Sequence, residues 1–178
     1  MKTASQPGRL LILDADVTDA ASASVVVVSR VPAHVIVGAR CDRAYVSNAD
    51  DNAVAVVDMR TRRLITTIPV GRSAVQVFAT PDGNFMYVAN QGAEQAPDNT
   101  VSVIDTRLNA VVQTLTTDRG AHGVAVSDDG SRVVIANTFA GTVSTIDAVT
   151  QRVTGAVRVG SGPAASRTGP HRDECTQD

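Results

Sequence analysis

Residues 45–58 read YVSNADDNAVAVVD: a short β-rich run, a cluster of turn formers, a second β-rich run and a closing Asp. The phrase returns as YVANQGAEQAPDNTVSVID at 87–105 and as VIANTFAGTVSTID at 134–147. It is therefore a repeating unit, with copies 42 and 47 residues apart. The difference sits in one place. Asn48 to Asp58 and Asn137 to Asp147 are each ten residues apart, whereas Asn90 to Asp105 is fifteen, so the second copy carries a five-residue loop insertion at about GAEQA.

Working outward from the phrase, each repeat divides into four runs of period-two alternation separated by turn signals. In the middle copy these are Ala74 to Thr80, Asn84 to Asn90, Thr100 to Asp105 and Ala110 to Thr116. The first hairpin of that copy turns at Pro81-Asp82-Gly83, where Pro fixes φ and Gly accepts a positive value. Asp128-Asp129-Gly130 does the same in the next copy. The third turn follows Asp58, Asp105 and Asp147, whose carboxylates are placed to accept backbone N–H groups two residues on. These acids read as turn caps rather than catalytic groups. Asn48, Asn90 and Asn137 each close a second strand and read as structural caps.

Composition agrees with an all-β chain. Of 178 residues 43% are apolar, and 29 Val stand against 6 Leu, a balance that favours pleated strands over helices. Four antiparallel strands recurring in one order every forty-odd residues predict a propeller blade, because a single such sheet cannot bury both faces and must stack on copies of itself. The blades fall at residues 33–70, 74–116 and 121–159, and residues 9–31 hold the last two strands of an earlier blade, so the partial propeller spans 9–159. Residues 160–178, rich in polar groups and without β-branched apolar residues beyond two Thr methyls, predict a disordered tail. Three full blades and a half blade do not close a ring, since closure usually takes at least four. The reading is an incomplete propeller and a fragment of a larger one, with partner-assisted closure as the alternative.

YVSN, YVAN and VIAN, the PDG and DDG turns, the VVD, VID and TID strand ends and the PVG and RVG repeat ends together resemble the YVTN-type β-propeller repeat family. The resemblance covers about residues 9 to 159. It implies a parent of seven blades, in a family commonly exported or on the cell surface and mostly without a known reaction. Some relatives with similar blades bind haem or hydrolyse lactones. This chain departs from the pattern at Ala39-Arg40-Cys41, which stands where the other copies have a Gly-ended turn.

Several classes of partner are not called for. A net charge of −2 with mixed signs gives no electrostatic reason to expect nucleic acid or an anionic membrane. Three Phe, two Tyr and no Trp leave little for base stacking. The longest apolar run near the start, Leu10 to Leu13, is shorter than the roughly 7–15 residues of a secretory signal. No segment approaches the roughly 20 apolar residues of a membrane helix. The compartment stays open. Cys41 and Cys175, 134 residues apart, indicate neither a metal pair nor a disulfide framework.

Aligned on the YVSN phrase without gaps, Arg30, Arg72 and Arg119 share one column just before the innermost strand of each blade. Three guanidinium groups at one level suit a carboxylate, phosphate or acidic peptide, because guanidinium donates paired hydrogen bonds to planar anions. Exposed connecting loops, where Arg is at home, are the other reading of the column. His122 opens an inner strand and His34 lies in the equivalent strand one column away, which makes both channel-lining candidates. Two His in different columns, with no Cys or carboxylate at ligand spacing, do not specify a metal site, and nothing specifies a cofactor. There is no Gly-x-Ser-x-Gly elbow, and Gly160-Ser161-Gly162 precedes no helical pattern that would make a phosphate cradle.

Two functions therefore stand. The first is a non-enzymatic scaffold that binds a protein or an anionic ligand on its face; the second is the remnant of a propeller enzyme or cofactor carrier of the lactonase-like or haem-binding kind. In either case the end blades expose apolar faces, at Val25 to Val28 and at Val143 and Ile146, that predict self-association.

Overall fold

A computed structural model describes residues 8–12 and 24–163. Of the tail expected to be disordered, 160–178, residues 164–178 lie outside that range. Each blade is built outward from its first hairpin turn. Thr80 N–H donates to Phe85 O, and Gly83 N–H donates back to Thr80 O. Ser127, Gly130 and Arg132 repeat both bonds in the third blade. Gly83 and Gly130 sit at φ 68° and 69°, the left-handed region that a side chain disfavours. In the first blade Gly38, Cys41 and Arg43 make the same two bonds, and Cys41 takes the left-handed conformation at φ 55°. The departure at Ala39-Arg40-Cys41 thus changes the residues and keeps the turn. Cys41 is disulfide-bonded, which corrects the expectation drawn from cysteine spacing; Cys175 lies outside the described residues.

Among the described residues fourteen strands follow in chain order. A two-stranded sheet pairs β1 (Gly8–Ile12) with β2 (Ser24–Ser29). The first four-stranded sheet runs β3 (Pro32–Val37), β4 (Arg43–Asn48), β5 (Ala53–Asp58), β6 (Arg63–Pro69). The second runs β7 (Ala74–Ala79), β8 (Phe85–Ala93), β9 (Ala96–Asp105), β10 (Ala110–Thr116). The third runs β11 (Ala121–Val126), β12 (Arg132–Asn137), β13 (Thr142–Asp147), β14 (Arg152–Arg158). The inner strands β3, β7 and β11 neighbour one another, as do the outer strands β2, β6, β10 and β14. The result is an all-β, propeller-like arc whose ring is open.

Every inner strand carries an irregularity at the same column: pairing skips Ala33, Val75 and His122. A bulge there bends the inner strand and re-aims the next side chain. The five-residue insertion in the second blade is not a loop. It continues the β8–β9 ladder, with Gly92 opposite Pro97 and Ala93 opposite Ala96.

Blades are joined by alternating columns. Tyr45, Val54, Val56 and Ile68 of the first blade pack on Val77, Met86, Val88 and Ile104 of the second. Tyr87, Val101, Val103 and Leu115 pack in the same way on Val124, Val133, Ile135 and Ile146 of the third. The half blade presents Ile12, Val26 and Val28 to Val46 and Val57. Ile146 is therefore fully buried rather than exposed, because its side of β13 faces the second blade. Val26 and Val28 are buried for the matching reason, while Val25 and Val27 on the opposite side are 53% and 54% exposed.

Candidate functional site

The three arginines do occupy equivalent places. The residue after each one accepts a backbone hydrogen bond from the residue that follows the blade's asparagine: Ala49 to Val31 O, Gln91 to Ser73 O and Thr138 to Gly120 O. All three side chains are on exposed residues. Their surroundings differ. Arg30 donates from Nε to Asp51 Oδ1 at 2.9 Å, and a second guanidinium nitrogen lies 2.9 Å from the same oxygen. The Arg72 backbone N–H donates to Asp98 Oδ2 at 2.9 Å, its guanidinium donates to Pro97 O at 3.2 Å, and its Nε lies 3.8 Å from Asp98 Oδ2. In the third blade the position of Asp51 and Asp98 is taken by Ala140. Arg119 consequently has no hydrogen-bond or ion-pair partner for its guanidinium among the described residues.

The acids that pair with the first two arginines were not visible in the gapless alignment. Asp51 follows Asn48 by three residues and Asp98 follows Asn90 by eight. The five inserted residues therefore hide their common column, and moving the insertion ahead of Pro97 restores it. Asp98 is itself nearly buried. It accepts from Asn99 N–H at 2.8 Å and from Thr100 N–H at 3.0 Å, so it is a braced part of the insertion hairpin.

Behind this face stand the three asparagines, each fully buried. Asn90 Nδ2 donates to Thr100 Oγ1 and Ser102 Oγ, both at 3.0 Å. Asn137 Nδ2 donates to Thr142 Oγ1 at 3.1 Å and to Ser144 Oγ at 2.8 Å. The first blade has Ala53 and Ala55 in the hydroxyl columns, so Asn48 Nδ2 turns to its own strand and donates to Val46 O at 3.2 Å. Asn90 and Asn137 tie the second strand to the third, and Asn48 braces the end of its own strand.

The histidine column is structural on one side. His34 and Gln76 follow the bulge in successive inner strands. Gln76 Oε1 accepts from Val124 N–H of the next blade at 2.5 Å. Burial lowers the His34 pKa from 6.5, opposed by a backbone hydrogen bond with Val77 of the next blade. A bond that raises a histidine pKa is one in which a carbonyl accepts the ring N–H. Nδ1 is buried without a partner among the described residues. Val77 and Val124 share a column, so both side chains link one inner strand to the next. His122 sits at the bulge itself, one column off, and the structure does not bring it into that series.

On the opposite face the aspartates cap turns. Asp58 Oδ1 accepts from Thr61 N–H at 2.6 Å and Asp147 Oδ1 from Thr150 N–H at 2.8 Å, three residues on rather than two. Asp105 Oδ1 accepts from Arg107 and Leu108 N–H groups at 2.8 and 3.0 Å. The backbone bond from Thr61 is the main cause of the lowered Asp58 pKa, and that from Thr150 plays the same part at Asp147. Among the described residues no three His, Cys, Asp or Glu side chains gather to hold a metal ion.

Radial four-stranded sheets joined by repeating apolar columns define a β-propeller repeat protein. The chain belongs to the YNCE-like beta-propeller family, whose model matches residues 2–173, in accord with the YVTN-type resemblance of its repeats. No curated protein matches the sequence. Among solved structures it is similar to hydrazine synthase of Kuenenia stuttgartiensis, with TM-score 0.68 and 24% identity over 74% of this chain and 37% of that one. It is similar to U3-55K, with TM-score 0.64 and 9% identity over 72% of this chain and 39% of that one. A third similar structure is the dihydro-heme d1 dehydrogenase NirN in complex with DHE, with TM-score 0.59 and 22% identity over 69% of this chain and 26% of that one. At these identities the likeness is one of fold. The chain spans less than two fifths of the length of each.

Proposed function

We propose that the chain is a non-enzymatic propeller scaffold that binds a protein or an anionic ligand on the face carrying the arginine column. Arg119 is the residue that meets the ligand. The observation that supports this reading is the replacement of the column's aspartate by Ala140, which leaves an exposed guanidinium in the third blade where the first two blades hold ion pairs. A cation released from its internal partner is free to take an external carboxylate or phosphate, and Arg does so with two parallel hydrogen bonds. Arg30 and Arg72 contribute less, because a ligand must compete with Asp51 and Asp98.

Titration calorimetry with an acidic peptide tests the proposal. A single exposed ion-pair contact is worth about 0.2–1 kcal/mol, so Arg119→Ala weakens binding by roughly 1.4- to 5-fold. Ala140→Asp supplies the missing partner and weakens binding comparably. Added salt weakens it further, because exposed charges are screened. Equal binding by the parent chain, Arg119→Ala and Ala140→Asp overturns the assignment.

A further inference from the structure

Two interfaces between complete blades carry the same phenol and treat it oppositely. Tyr45 packs between the first and second blades, and Tyr87, in the same column, between the second and third. Beside Tyr87 the first hairpin turn is sealed. Thr80 Oγ1 donates to Asp82 Oδ1 at 2.5 Å, Phe85 N–H donates to Thr80 Oγ1 at 3.1 Å, and the Phe85 ring packs on the same core. The Tyr87 hydroxyl is buried without a partner among the described residues. Beside Tyr45 the corresponding turn has Gly38 for Thr80, Arg40 for Asp82 and Arg43 for Phe85. There a cleft of about 20 Å³ opens, lined by Gly38, Arg40, Asp42, Arg43, Tyr45 and Met86. Both its walls belong to complete four-stranded sheets, and it lies on the face opposite the arginine column.

Two guanidinium groups stand here against one carboxylate. Arg43 is braced on the second blade: its Nη1 donates to Thr106 O at 2.9 Å and Asn109 Oδ1 at 3.2 Å, while its Nε lies 3.7 Å from Asp42 Oδ2. Arg40 is exposed and held only by a long contact of 3.4 Å to Asn84 Oδ1. Arg43 also hydrogen-bonds Tyr45. A guanidinium can only donate, so the phenol oxygen accepts, and its own proton has no acceptor among the described residues. Burial raises the Tyr45 pKa, opposed by Arg43, so the hydroxyl stays a donor at neutral pH.

We propose that this cleft is a carboxylate site, in which one carboxylate oxygen enters between the Arg40 guanidinium and the Tyr45 hydroxyl. Size selects the ligand, since about 20 Å³ holds roughly one water-sized group. That admits a single carboxylate oxygen and excludes a whole phosphate group. Charge-assisted bonds from guanidinium suit such an oxygen. Two sources of this chemistry are at hand. One is a small carboxylic acid in solution. The other is the chain's own Asp173 and Glu174, which precede Cys175 in the sequence, while Cys41 of this turn is disulfide-bonded.

An NMR titration of the full chain with acetate at constant ionic strength tests the site. The Gly38 and Arg40 amides and the Tyr45 ring should shift together. Arg40→Asp, which restores the second blade's residue, should weaken binding roughly 2- to 30-fold by exchanging attraction for repulsion. Gly38→Thr should close the cleft, because a Cβ there lies 3.3 Å from Tyr45 Cε2 and 3.8 Å from Met86 Cε. Should that tight contact disturb the turn, the exposed Arg40→Asp remains readable. Binding by the parent chain identifies a free acid as the source; binding only after Asp173→Asn with Glu174→Gln identifies the chain's own carboxylates. The proposal fails if neither protein responds to acetate, or if the responding protein binds equally after Arg40→Asp. Arg119→Ala should leave the response unchanged, which separates this site from the anion reading of the opposite face.

Discussion

Gln76 offers the sharpest test of how one blade holds the next. Its Oε1 accepts from Val124 N–H at 2.5 Å, and Val124 is 3% exposed in the core between the second and third blades. Gln76→Ala removes the acceptor and leaves a buried backbone donor without a partner, a change that costs about 1–3 kcal/mol. Under conditions where exchange reports local opening, that is roughly a 5- to 150-fold faster exchange of the Val124 amide. The loss should be confined to the second and third blades, because in a repeat array each unit touches only its neighbours. Exchange over β4 and β5 should therefore stay as in the parent chain. Gln76→Glu keeps an acceptor oxygen and should retain most of the protection at pH values where its carboxyl is ionised. Exchange followed by NMR or mass spectrometry reads each outcome. An unchanged Val124 amide in Gln76→Ala would refute the inter-blade role of the column.

Three further outcomes follow from neighbouring contacts. Burial lowers the His34 pKa below 6.5, so the neutral ring favours the folded state; its contribution is complete above pH 6.5 and lost as pH falls through the folded-state pKa. An NMR titration should place the His34 midpoint below 6.5, and His34→Gln, the residue type of Gln76 in the same column, should remove that acid sensitivity. Asp129 is held down to about 2, first by the Ser127 hydroxyl and then by the backbone and side chain of Ser131. The stability it lends is present above its ordinary carboxyl pKa and lost as pH falls through about 2; Ser127→Ala should raise its NMR midpoint. Asn90→Ala breaks two hydroxyl contacts and Asn48→Ala one carbonyl contact, so the former should cost about 0.5–1.5 kcal/mol more in denaturant melts.

The repeat, the blade and the turn caps were legible in the sequence because they are local. Period-two alternation, a Gly-ended turn and an Asp ahead of a turn each act within a few residues, and Asp58, Asp105 and Asp147 needed only their own turns to be read. The column of Arg30, Arg72 and Arg119 was also legible, since gapless alignment preserves spacing up to the inserted residues. What each arginine faces was not. Asp51 and Asp98 come to the same place only when the β8–β9 ladder absorbs the insertion, and Ala140 then breaks the pattern in the third blade. Alternation likewise gives every strand two sides without saying which one another blade covers. Alternation leaves Ile146 on a side that the sequence alone reads as exposed, whereas stacking on the second blade buries it. His34 and Gln76 acquire their roles in the same way: the bulge in the inner strand aims them at a backbone more than forty residues away, and only the placement of one sheet against the next brings those groups together.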